Sequence, residues 1–104
     1  MRPIALLVDA PTLVTSPPPG AWRALALGTT SWNLVLAEFT DAQGLQDYVA
    51  LPGVRRLPRA YRPVPALAVQ VLGPLYGVVA TDTVGEALDK IAASWPEPWL
   101  ADHA

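Results

Sequence analysis

The chain has 104 residues, of which 15% are charged and 12 are proline, with no cysteine and a formal net charge of −2. That length suits one domain with a core of its own, and the lack of cysteine excludes a disulfide framework and thiolate metal ligation. Typical domains carry about 25% charge and about half this share of proline. A lone copy, with roughly 5,700 Å² of surface, therefore has too few ionised groups to avoid weakly polar patches, and such patches tend to be binding surfaces.

In chain order, the first apolar run is Ile4–Val8, a short β-type segment. Asp9 ends it before it reaches the roughly seven apolar residues of a secretory leader. An intracellular or virion location is the expectation. Pro17–Pro18–Pro19–Gly20 closes the following loop with a stiff polyproline-type stretch. Trp22–Leu27 reads as a strand with Arg23, Leu25 and Leu27 on one face. After the turn signal Gly28–Thr29–Thr30–Ser31, the nearly continuous apolar run Trp32–Phe39 predicts a central strand covered on both faces.

Thr40 and Gln43 have capping-box spacing, and Ala42, Leu45, Tyr48 and Val49 fall on one helical face. Leu51–Pro52–Gly53 stops that helix. Val54–Arg62 is strand-like, but Pro58 restricts it to an edge or a bulge. Ala66–Leu72 and Tyr76–Thr81 read as a hairpin around Gly73–Pro74–Leu75, and the glycine-proline break argues against a membrane span. Within the first hairpin strand, Ala68 and Gln70 alternate with Leu67, Val69 and Val71, and the whole hairpin carries no charge. A solvent-facing sheet normally alternates with polar residues, so this pattern predicts a cover from another layer or subunit.

The second helix begins at the capping-box pair Thr83 and Glu86. Val84, Ala87, Leu88, Ile91, Ala92 and Trp95 form its apolar stripe, and Glu86 and Lys90 are spaced for an i,i+4 pair. These elements predict one α+β domain over residues 1–95 and an extended Pro/Trp-containing tail over 96–104. From Trp32 onward the order matches the βαββα part of a ferredoxin-like two-layer sandwich. That arrangement has a mainly antiparallel sheet of four to six strands with two helices on one face.

Chemistry-bearing residues are sparse. His103 is penultimate, a poor place for a general base. Ser16, Ser31 and Ser94 have no nucleophile motif or partner base. Asp9 and Glu38 form a carboxylate pair only if their strand ends meet. Asp82 and Glu86 are better explained as helix-start residues than as metal ligands. No glycine spacing matches a phosphate-binding loop. No cofactor is expected, and no catalytic residue is assigned.

Two interaction candidates stand out instead. Arg55, Arg56, Arg59, Tyr61 and Arg62 crowd one segment. Without those four arginines the net charge of −2 becomes −6, so the molecule is electrically divided. The overall negative charge argues against nucleic acid. A solvated, charge-protected edge competes with a contact in which arginine forks meet carboxylates of a neighbouring chain. The second candidate is the stiff aromatic segment Trp95, Pro96, Pro98, Trp99 and Leu100.

The leading expectation is a non-catalytic assembly subunit that contacts other copies of itself or the subunits of a larger complex, for which a small virion component is an example. Nucleic acid and membrane are disfavoured as partners. Two alternatives are a dimeric small-molecule-binding domain with weak enzyme activity, using Trp32, Glu38 and Tyr76, and a small inhibitor of a host enzyme or nucleic-acid machine.

Overall fold

A computed structural model describes residues 2–9, 18–27 and 33–94. The chain divides into two compact units, Met1–Leu57 and Pro58–Ala104. The first holds β1 (Ile4–Asp9), β2 (Ala21–Ala26), β3 (Asn33–Phe39), α1 (Ala42–Val49) and β4 (Arg55–Arg56). The second holds α2 (Ala66–Tyr76) and α3 (Val84–Ser94). The protein is thus α+β, with one four-stranded antiparallel sheet and three helices among the described residues.

The sheet order is β2-β3-β1-β4. β3 is a central strand, as its nearly continuous apolar run predicts, and Leu34, Val35, Leu36, Ala37 and Phe39 are all buried. Side chains alternate across the pleat. On one face, Ala5 and Leu7 of β1 join Val35, Ala37 and Phe39 of β3 under Leu45 and Tyr48 of α1, with Val54 beside them. The Phe39 and Tyr48 rings lie 6.0 Å apart between centroids. Burying a side chain such as Phe39 stabilises the fold by about 1.5–3 kcal/mol. The opposite face carries Leu6, Leu34 and Leu36, also buried.

α1 starts one residue later than its sequence pattern predicts. Asp41, not Thr40, is the N-cap, and its carboxylate accepts from the Gly44 N–H at 2.9 Å. Asp is among the best N-cap residues, and Gln43 donates instead to Asp47 at 2.7 Å. The chain entering β2 runs against this helix. A Cβ on Gly20 would stand 3.0 Å from the Gly44 Cα, so a pair of glycines permits the approach.

In the second unit, α3 matches its predicted start. Thr83 and Glu86 form the reciprocal capping box, with Oγ1 accepting from Glu86 N–H at 3.1 Å and Oε1 accepting from Thr83 N–H at 2.9 Å. The next donors at this end are held by the preceding segment. Val84 N–H reaches the Tyr61 carbonyl and Gly85 N–H the Arg59 carbonyl, each at 2.9 Å. Val84, Ala87, Leu88 and Ile91 are buried as their stripe predicts, while Ala92 is exposed.

The Ala66–Thr81 segment departs most from the sequence reading. Ala66–Tyr76 is a helix, not the first strand of a hairpin, and no strand covers Tyr76–Thr81. An apolar run without polar alternation fits either a buried strand or a buried helix. Ala and Leu have high helix propensity, and Ala68 and Leu72, one turn apart, are the buried pair. Gly73–Pro74 lies in the last turn, and Gly77, at φ +76°, ends the helix by donating to the Gly73 carbonyl at 2.8 Å. The order β1-β2-β3-α1-β4-α2-α3 therefore differs from the βαββα run of a ferredoxin-like sandwich.

Candidate functional site

The arginine segment does not form one strand. Only Arg55 and Arg56 pair with β1, opposite Val8 and Leu7. Both are exposed. Leu57 N–H still donates to the Leu6 carbonyl at 2.9 Å, and the ladder stops before Pro58, where a missing N–H leaves the outer edge without a donor. Arg59 is held within the chain: its Nη2 donates to Asp89 Oδ1 at 2.8 Å and to the Gly85 carbonyl at 3.3 Å. Gly85 lets the guanidinium come close, since a Cβ there would meet it at 3.2 Å. Tyr61 is half exposed and Arg62 exposed, just before the cis bond to Pro63. Trp95, Trp99 and Leu100 lie outside the described residues, as do Trp32, Ser16, Ser31 and His103.

The expected carboxylate pair is not assembled. Asp9 is opposite Asn33, whereas Glu38 is opposite Ile4 at the other end of the ladder. That is a separation of about 17 Å along the strand at ~3.4 Å per residue. Glu38 instead meets Arg23, with Nε to Oε1 at 2.5 Å and side-chain exposures of 6% and 16% for Arg23 and Glu38. The expected Glu86–Lys90 pair is also replaced. Lys90 Nζ donates to Asp82 Oδ2 at 2.8 Å and to the Gly77 carbonyl at 3.1 Å. Asp82 also accepts from Val79 N–H at 3.0 Å. These bonds, the lysine's first, hold its carboxyl below the usual aspartate range. Among the described residues no group of three His, Asp or Glu side chains is placed to hold a metal.

A cleft of about 410 Å³ is lined by Pro19, Gly20, Gly44, Asp47, Tyr48 and Leu51. Neither Glu38 nor Tyr76 is among the described residues that line it. Among the described lining residues the one charged group is Asp47, which already accepts from Gln43.

The two sheet edges differ sharply. The β4 edge is two residues long, carries Arg55 and Arg56, and stops at a proline. All three are devices that blunt an edge against further pairing. The β2 edge is six residues long, Ala21–Trp22–Arg23–Ala24–Leu25–Ala26. Its one charge is neutralised by Glu38 and buried. Leu27 N–H donates to the Leu34 carbonyl at 2.6 Å, and Leu25 is opposite Leu36 in the same register. Antiparallel backbone groups alternate in direction. The N–H and C=O groups of Leu25 and Leu27 thus turn toward β3, and those of Ala24 and Ala26 turn away from it. No strand pairs with this outer side among the described residues.

The side chains there are small or apolar. Ala26 is exposed, Leu25 half-buried, and Ala24 packs at the margin of the α1 core. Trp22, at the bulge between Ala21 and Arg23, is 38% exposed, with the Arg2 guanidinium 3.9 Å from its ring centroid. The sequence reading passed over Ala24 and Ala26 because alanines in a strand carry no chemical signal. The available clue was that Arg23 is the one charged residue from Ala21 to Leu27. No family model, curated protein or solved structure matches the chain.

Proposed function

We propose that this protein is a non-catalytic docking subunit that joins other protein chains by extending its sheet at β2. One observation carries the reading: among the described residues no strand pairs with the outer edge of the six-residue β2, whose one charge is buried against Glu38, while the opposite edge is short and basic. An open edge strand is a template for pairing with another chain. Main-chain hydrogen bonds supply affinity in strand addition, and flanking side chains supply fit. The low charge of the chain points the same way.

The test is a photo-activated crosslinking residue placed at Ala26 of the full chain and, as a control, at exposed Gln46 of α1. Irradiation in the cells that make the protein should yield a discrete protein adduct from position 26 and a different pattern, or none, from position 46. No adduct at position 26, or the same pattern from both sites, overturns the docking reading.

A further inference from the structure

We draw no further inference here: the strongest candidate, the largely apolar cleft between α1 and the chain entering β2, has as the one charged group among its described lining residues an Asp47 already bonded to Gln43, and nothing in the structure shows what covers it.

Discussion

Glu38→Ala tests the claim that β2 stays neutral because its arginine is answered from within the sheet. The two side chains are 6% and 16% exposed. Breaking a buried pair costs about 3–5 kcal/mol, because one charge is left without water or partner. An exposed pair is worth only about 0.2–1 kcal/mol. This pair lies near the buried end, but Arg23 holds a further interaction in the fold. The expected cost is therefore about 2–4 kcal/mol.

The double variant Arg23→Leu, Glu38→Leu removes both charges and keeps apolar volume, so it should fall within about 1 kcal/mol of the wild type. Urea denaturation of the four proteins in the cycle gives the coupling directly. With m near 1–3 kcal/mol/M, a loss of about 3 kcal/mol moves the midpoint by roughly 1–3 M. A single variant that loses under about 1 kcal/mol, with additive effects around the cycle, would refute the argument.

Three more outcomes follow from local geometry. Thr83→Ala removes the hydroxyl that accepts from Glu86 N–H and should cost about 1 kcal/mol in denaturation, with a serine variant restoring most of it. Gly20→Ala forces a Cβ to within 3.0 Å of the Gly44 Cα, a backbone atom. It should cost about 1–3 kcal/mol, visible as a lower thermal midpoint. Asp82 has its pKa lowered from 3.8 in the folded state. Its stabilisation is therefore fully present above that ordinary value and is lost as pH falls through the lower, folded one. Asp82→Asn should flatten this acid limb of a stability-versus-pH series, and an unchanged limb would count against the Lys90 contact.

β1, β2 and β3 were legible because their largely apolar runs are short and bounded by turn residues, whereas β4 shrank to two arginines of a longer strand-like stretch. β3 even revealed its central place, since Leu34–Phe39 leaves almost no polar face. α3 was legible because Thr83 and Glu86 mark its start and the stripe repeats at helical spacing. α2 was not, because Ala66–Leu72 has only Gln70 to mark a polar side and Gly73–Pro74 resembles a hairpin turn. The arginines were conspicuous as a cluster, but sequence could not say that Asp89, far along the chain, would claim Arg59. The β2 edge was hidden for another reason. Which strand lies outermost depends on pairing order, a long-range property that no local pattern encodes.

Lys90 is the sole lysine in the chain, and its ammonium ties the Gly77 carbonyl to the Asp82 carboxylate. Reagents that acylate side-chain amines thus have a single target in the fold. Its reaction rate becomes a clock for how often the stretch between α2 and α3 lets go, readable by mass spectrometry without any engineered label.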